Sequence, residues 1–342
     1  MRIPIAAAGA LTLCALAFFC APVAAEESGA VGKPANAERP VGARNADEAE
    51  ATAAGEAPRQ TKALRMTLEY ELSRLALTAN ANDSGDDFRY GPNNPCVLKL
   101  GAQYGKLGGK LGLVSGKADD NHDVKTTCFD VHGFTYFDRF GADLYAQWFR
   151  GFYLDDGDSV FPDFALTTVT LNGYCKIAGS CGMNALTVPV VEGKPVSMLV
   201  YAFASVSRRT IDAGGSLVPQ GREEDFPELS GVSEFAAVIP SISAGTLVTA
   251  HWGRLYFTPG LSVGFGYPIV MAPEDARARY SVKINAKARL GYEGTKYLAG
   301  LEVSNDSDAI ELKGRDAIQF HSVIANLFVG RKFGIPTKAL PR

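Results

Sequence analysis

The sequence has few cysteines and histidines and lacks the usual motifs of metal or nucleotide chemistry. Six cysteines and four histidines occur among 342 residues. None of the cysteines stands in a Cys-x-x-Cys pair, which argues against a zinc site. No G-x-x-x-x-G-K-[ST] loop occurs, and no dinucleotide fingerprint follows a strand and opens a helix. We therefore predict neither a bound metal nor a cofactor.

The sequence also lacks a strong net charge and, beyond its first 25 residues, a long hydrophobic run. The formal net charge is −3, which gives no reason to expect nucleic-acid binding. No uninterrupted apolar stretch near 18 residues follows the N-terminal segment, so no membrane-spanning helix is predicted. Two classes remain, a soluble exported protein and a β-barrel, whose strands give a much weaker hydrophobic signal.

The N-terminus is typical of an export signal. Arg2 provides a positive start, residues 3–20 are apolar, and Val23-Ala24-Ala25 supplies small residues for cleavage after Ala25. Residues that follow are rich in Ala, Glu, Gly and Pro and cannot bury enough apolar surface to fold. The predicted organisation is a signal peptide at 1–25, a disordered linker at 26–61, a β-barrel at 62–334 and a C-terminal tail at 335–342.

The clearest structural signal is the alternation across residues 277–292. Because side chains on a strand point alternately to opposite faces, this segment predicts a strand with one apolar and one cationic face. The polar positions are Arg277, Arg279, Ser281, Lys283, Asn285, Lys287 and Arg289. About sixteen residues is long for a soluble strand and suits a tilted membrane-spanning one.

Similar patterns recur along the chain and predict about twelve antiparallel strands, within a range of about ten to fourteen, in an up-and-down transmembrane barrel. An even number places both termini on one side, which would be the periplasm. The longer polar loops at 116–123, 155–158 and 305–314 would then lie outside. A short extended piece is predicted at 215–218, and residues 221–250 receive no assignment.

Alternation alone does not say which face of each strand points inward. Aromatic residues near strand ends favour a lipid-facing apolar surface, as in the girdles of membrane barrels. They are Phe140, Phe152, Tyr267, Tyr280, Tyr292 and Tyr297. A soluble periplasmic barrel that binds an apolar ligand is the alternative, with the faces exchanged.

Four short motifs resemble those of a bacterial family. They are Tyr90-Gly91-Pro92-Asn93-Asn94, Gly151-Phe152-Tyr153-Leu154, Asp212-Ala213-Gly214-Gly215-Ser216 and the ending at 327–333. From about residue 86 to residue 333 the chain resembles the family called domain of unknown function 4421, regarded as outer-membrane-type barrels. The resemblance implies location in the bacterial outer membrane but no catalytic residues. The long N-terminal segment and the tail beyond Phe333 depart from it.

A barrel of this size would direct its polar faces into the lumen. The predicted lumen-facing charges are Arg254, Arg277, Arg279, Lys283, Lys287, Arg289, Asp143 and Glu302. One interpretation is a salt-bridged interior that passes few ions. The other is a narrow pore or a site for anionic solutes. The expected partners are outer-membrane lipid and the barrel assembly machinery.

The remaining candidates are weaker. Cys175 and Cys181 flank a turn-like stretch and predict a local disulfide, and Cys96 with Cys128 would follow by elimination. Asp130 and His132 share a strand face and are candidates for a lipid-modifying hydrolase, although a hydrogen-bond network is the favoured interpretation. The acidic loops containing Asp119, Asp120, Asn121 and Asp123, and Asp155, Asp156 and Asp158, are interpreted as solvated rather than calcium-binding.

Overall fold

The computed structural model describes residues 63–81, 87–93, 96–117, 123–155, 159–187, 195–274, 276–312 and 316–334. The predicted signal peptide, linker and C-terminal tail lie outside the described residues. Asp119, Asp120, Asn121, Asp156 and Asp158 of the acidic loops also lie outside them. Over the part of the chain that is described, no helix is long and apolar enough to cross a membrane.

The fold is a closed antiparallel barrel of twelve strands with two further strands paired outside the ring. The fourteen strands are β1 Ala63–Ala81, β2 Asp87–Pro92, β3 Val97–Tyr104, β4 Leu107–Gly116, β5 Thr126–Tyr136, β6 Phe140–Leu154, β7 Val160–Gly179, β8 Val196–Asp212, β9 Glu234–Trp252, β10 Leu255–Gly266, β11 Ile269–Ala272, β12 Ala278–Glu293, β13 Tyr297–Leu312 and β14 Asp316–Gly334. A 3₁₀-helix, Met183–Leu186, lies between β7 and β8. The barrel is closed where β1 pairs with β14 along its full length. The predicted fold class is confirmed.

The structure differs from the sequence predictions at three places. β9 fills much of the unassigned stretch, because Pro240 and several small residues obscure its alternation. In addition, the loop predicted at 305–314 is largely the second half of β13, whose Asp306 and Asp308 side chains point into the barrel rather than into solvent. The short extended piece at 215–218 is not a strand.

Strand length divides the barrel into two levels. β3, β4 and β5 have 8, 10 and 11 residues, close to the ~9–11 that cross a bilayer. Most other strands are longer. They extend farther at the end opposite the start of β1, which we call the distal end. There, β2 pairs with both β1 and β6 and stands in place of the three short strands. The ring is therefore narrower at its distal end.

The change of level coincides with a β-bulge at Gly151. Its φ is +91°, a conformation that glycine adopts readily and other residues rarely do, and the pairing register shifts between Arg150 and Phe152. Phe149 and Phe152 consequently both point inward and are buried. The prediction that Phe152 belongs to the lipid-facing girdle is therefore wrong, because a bulge reverses the parity of the residues that follow it.

The distal end is covered by an apolar cap made by residues 213–233, which connect β8 and β9. Leu217, Phe226 and Leu229 of this distal cap are almost fully buried against the distal ends of the barrel strands. The Tyr90 hydroxyl donates to the carbonyl oxygen of Leu217 at 2.9 Å. The backbone N–H of Glu228 donates to Asp316 at 2.9 Å. Both apolar burial and hydrogen bonds hold the cap on the barrel.

The end at which β1 begins and β14 ends, which we call the terminal end, has a second apolar cluster. Met183 and Ala185 of the 3₁₀-helix are buried and pack with Tyr136, Leu199 and other inward-facing residues of β5, β8 and β9. The guanidinium of Arg289, on β12, donates to the carbonyl oxygen of Thr187 at 2.6 Å. This terminal cap therefore extends from β7 across the lumen to β12.

All four cysteines of the described residues are free, so neither predicted disulfide is formed. Cys175 is exposed on β7, whereas Cys181 turns inward and is buried in the terminal cap. Cys128 is likewise buried within the barrel, while Cys96 contacts Tyr70, whose side chain is on the outer surface. Each expected pair thus has its members on opposite sides of the barrel wall.

Replacing Gly151 by alanine is predicted to destabilise the barrel. The new Cβ would meet the carbonyl oxygen of Lys125, and the positive φ would add about 1–3 kcal/mol of strain. The matched control is Gly133→Ala on β5, where a Cβ would meet nothing within 4 Å. Urea unfolding in detergent micelles should give a lower midpoint for Gly151→Ala alone. Equal midpoints for the two variants would contradict the structural role of the bulge.

Candidate functional site

Between the two caps the barrel encloses a polar cavity of about 500 Å³. Side chains from all twelve strands of the ring line this space. The remaining strands, β2 and β11, stand outside the ring. The inward faces carry hydroxyl, amide and charged groups, as expected for the lumen of a membrane barrel. This cavity is the candidate functional site.

β12 supplies the cationic side of the cavity, and the neighbouring strand β13 supplies acids beside those cations. Lys283, Lys287 and Arg289 all line the lumen, as predicted, and so does Glu302. The register pairs Arg289 with Glu302, and the Arg289 Nε–H donates to that carboxylate at 2.5 Å. Asp308, paired in register with Lys283, forms its ion pair with Arg209 of β8 at 2.9 Å.

Three predicted lumen residues lie elsewhere. Arg254 is exposed in the turn between β9 and β10 and donates to the Tyr292 hydroxyl at 3.2 Å. Arg277 and Arg279 are exposed at the distal end of β12. A register irregularity between Ala278 and Tyr280 breaks the alternation there, so the parity of the strand does not extend to its first residues.

The wall opposite β12 contains a second group of ion pairs. Lys99 lies between two acids, 2.7 Å from the carboxylate of Glu71 and 3.0 Å from that of Asp130. Lys110 contacts Glu69 at 2.8 Å. Glu69, Glu71 and Asp130 are nearly inaccessible to solvent. Buried charges in such an environment are tolerated only when they are paired and hydrogen-bonded.

Asp143 lies at the centre of a hydrogen-bond network near the terminal cap. Its carboxylate accepts hydrogen bonds from the hydroxyls of Tyr136 at 2.7 Å and Tyr174 at 2.8 Å. The amide of Asn172 donates to it at 2.6 Å. The Nε2 atom of His132 is 3.7 Å away. Asp143 thus lies in the lumen and is held by side chains from the two neighbouring strands, β5 and β7.

The structure separates the two candidate catalytic residues. Asp130 is bound by Lys99 and by the Tyr145 hydroxyl, which donates to it at 2.8 Å, whereas His132 contacts Asp143. The sequence from Gly260 to Gly264 does match G-x-S-x-G, but Ser262 lies within the extended strand β10. A nucleophile elbow requires a sharp strand-to-helix turn, so this serine does not have the geometry of a hydrolase nucleophile.

Taken together, the charges that line the cavity nearly balance. The cations are Arg65, Lys99, Lys110, Arg209, Lys283, Lys287 and Arg289. The acids are Glu69, Glu71, Asp130, Asp143, Glu293, Glu302, Asp306 and Asp308. The sequence interpretation emphasised the cations of one strand and included Glu302 of β13, but it missed Asp306 and Asp308 on the same face of that strand.

Removing Lys99 is predicted to destabilise the barrel by about 3–5 kcal/mol, because Glu71 and Asp130 would remain buried without a cation. Lys99→Met keeps the length of the side chain and removes the charge. Adding Glu71→Gln and Asp130→Asn to Lys99→Met should restore much of the loss. The free energy of unfolding in phospholipid vesicles measures both effects. A Lys99→Met protein as stable as the wild type would show that the ion pairs of Lys99 with Glu71 and Asp130 do not stabilise the barrel.

Comparison with known proteins gives a family and several similar folds. A family model described as "Domain of unknown function (DUF4421)" matches residues 57–333. No curated protein sequence matches the chain. Among solved structures, the translocator domain of the autotransporter NalP from Neisseria meningitidis is 12% identical, with a TM-score of 0.45, covering 84% of this chain and 94% of that one.

Two further structures are similar in the same way. The outer membrane protease OmpT from Escherichia coli is 9% identical, with a TM-score of 0.38 and coverage of 80% and 98% of the two chains. The transport unit of the autotransporter AIDA-I from Escherichia coli is 13% identical, with a TM-score of 0.39 and coverage of 81% and 93%. None of these values indicates a shared activity.

Proposed function

The chain belongs to the DUF4421 family, and we propose that it is an outer-membrane barrel whose lumen is closed to ions and whose role in the envelope is structural. The carrying observation is that an apolar cluster packs at each end of the lumen while most of the charges between the two clusters are paired with one another. The proposal has two parts, location and closure, and each depends on different residues.

Location in a membrane is supported by the outer surface. Large apolar side chains point outward from every side of the barrel, and several are more than half exposed, including Leu100 at 65%, Ile242 at 69% and Phe265 at 63%. A soluble protein rarely exposes a continuous apolar surface of this extent. The soluble alternative would require an apolar interior for its ligand, yet the interior contains the charges. The distribution of side chains therefore supports the membrane barrel.

Closure is supported by the caps and by the charge pairing. Conduction requires a continuous hydrated path with ion sites that bind weakly enough to release the ion. Here Phe226, Leu217 and Leu229 form an apolar cluster at the distal end, and the 3₁₀-helix packs against inward-facing residues at the terminal end. In the middle, Lys99 and Arg289 are bound by acids of the wall. Of the two interpretations of the lumen, the salt-bridged interior has more support than the anion pore.

The proposed closure predicts that purified protein inserted in a planar bilayer shows no steady conductance. Incorporation is confirmed by heat-modifiable migration of protein recovered from the same vesicles, since folded barrels migrate differently before and after boiling. A variant in which residues 215–231 and 182–194 are both replaced by Gly-Ser linkers should show discrete current steps, because both obstructions are removed. Discrete steps from the wild-type protein would overturn the proposal of a closed lumen.

A further inference from the structure

The turns at the terminal end carry an excess of exposed cations. The connections β3–β4, β5–β6, β9–β10 and β12–β13, together with the end of β14, form what we call the terminal rim. Its exposed cations are Lys106, Arg139, Arg254, Lys296 and Arg331. Asp138 is the single exposed acid among the described residues of the rim, because Glu293 is half-buried and paired with Arg65 at 3.0 Å and Lys332 at 2.8 Å.

These cations lie beside aromatic rings that point outward from the barrel. Lys106 is 4.9 Å from the centre of the Phe137 ring, and Arg331 is 5.0 Å from that of Phe333. Arg254 donates to the hydroxyl of Tyr292. Exposed aromatic residues surround this end of the barrel, namely Tyr104, Phe137, Phe140, Trp252, Tyr292, Tyr297 and Phe333. Such girdles lie at the level of lipid headgroups, so the cations beside them lie at the level of the phosphates.

The cations are also available for a ligand. In the described part of the chain, no ion pair involves any of the five exposed rim cations, whereas the inward-facing Lys332 and Arg65 are paired. The distal end has the opposite character. Its exposed acids are Asp87, Asp123, Asp155, Asp163, Asp212, Glu223, Glu224, Asp225, Glu234 and Glu274, and they outnumber the exposed cations there. The terminal end thus has an excess of exposed cations, and the distal end has an excess of exposed acids.

We infer that the terminal rim is a binding surface for anionic phospholipid headgroups in the adjacent leaflet. Guanidinium and ammonium groups are the usual partners of phosphate oxygens in proteins. A ring of them beside aromatic anchors can engage several lipids at once, with attraction that weakens as salt increases. The inference rests on the proposed membrane location and adds to it a preferred lipid and the end of the barrel that binds it.

Lipid selectivity can be measured with spin-labelled lipids in vesicles of reconstituted protein. The fraction of motionally restricted label is compared for spin-labelled phosphatidylglycerol and phosphatidylcholine, in a phosphatidylcholine host at low and high salt. The wild-type barrel is expected to favour phosphatidylglycerol on the order of threefold at low salt, with the preference falling at high salt. The rim variant K106Q/R139Q/R254Q/K296Q/R331Q should lose most of this preference.

The matched control removes the same number of exposed cations from the distal half: R74Q/K125Q/R208Q/R277Q/R279Q. It should keep the preference of the wild type. Absence of a preference in the wild type, its retention in the rim variant, or its equal loss in both variants would overturn the inference. Heat-modifiable migration in the phosphatidylcholine host shows whether each variant is folded. If the rim variant does not fold, Lys106→Gln and Lys296→Gln are measured singly, and undiminished preference in both overturns the inference.

The same experiment separates this inference from the proposed location. Wild-type protein that inserts into phosphatidylcholine vesicles but shows no lipid preference keeps its membrane location and loses the lipid surface. Wild-type protein that restricts neither labelled lipid contradicts the membrane location itself.

Discussion

The structure depends on the pairing of charges inside a closed sheet. A transmembrane barrel directs every second side chain inward, where water is scarce and an unpaired charge costs several kcal/mol. β12 places Lys283, Lys287 and Arg289 in this space. Arg289 pairs with Glu302 of β13, and Lys283 donates to the Ser207 hydroxyl at 3.3 Å. Register thus becomes an electrostatic requirement. A one-residue slip of β13 against β12 would carry Glu302 away from Arg289 and into lipid.

The unequal strand lengths determine how the ends are closed. Three short strands leave a gap in the distal wall, which β2 fills by pairing with β1 and β6. This arrangement narrows the ring at its distal end and gives the 213–233 connection an apolar wall to pack against. At the other end, a single turn of 3₁₀-helix is enough, because Tyr136 and Tyr201 already project inward to meet it. The lumen thus has a largely charge-paired middle between two apolar ends.

Much of this architecture could be predicted from the sequence, because the two-residue period of a strand is a local property. The faces of β12, the strand number and the fold class follow from it. Features that depend on contacts between distant parts of the chain could not be predicted in this way. The bulge at Gly151 turns Phe152 inward, which no alternation reveals. The strand β9 contains Pro240, which argues against a strand when read alone. The distal cap has no period of its own, since Phe226 is buried only by residues from other parts of the chain. The cysteines appeared pairable because a sequence does not show that the barrel wall separates them.

The central claim is that β12 turns its apolar face to lipid and its charged face to a closed interior. Nitroxide labels at Ile284 and Asn285, introduced as single cysteines after replacement of Cys96, Cys128, Cys175 and Cys181 by serine, test it most directly. In vesicles of reconstituted protein, the collision rate with dissolved oxygen, which concentrates in the hydrocarbon, should be high for the label at 284 and low for that at 285. The reverse order, or equal rates at both positions, would contradict the assignment of faces on which the account rests.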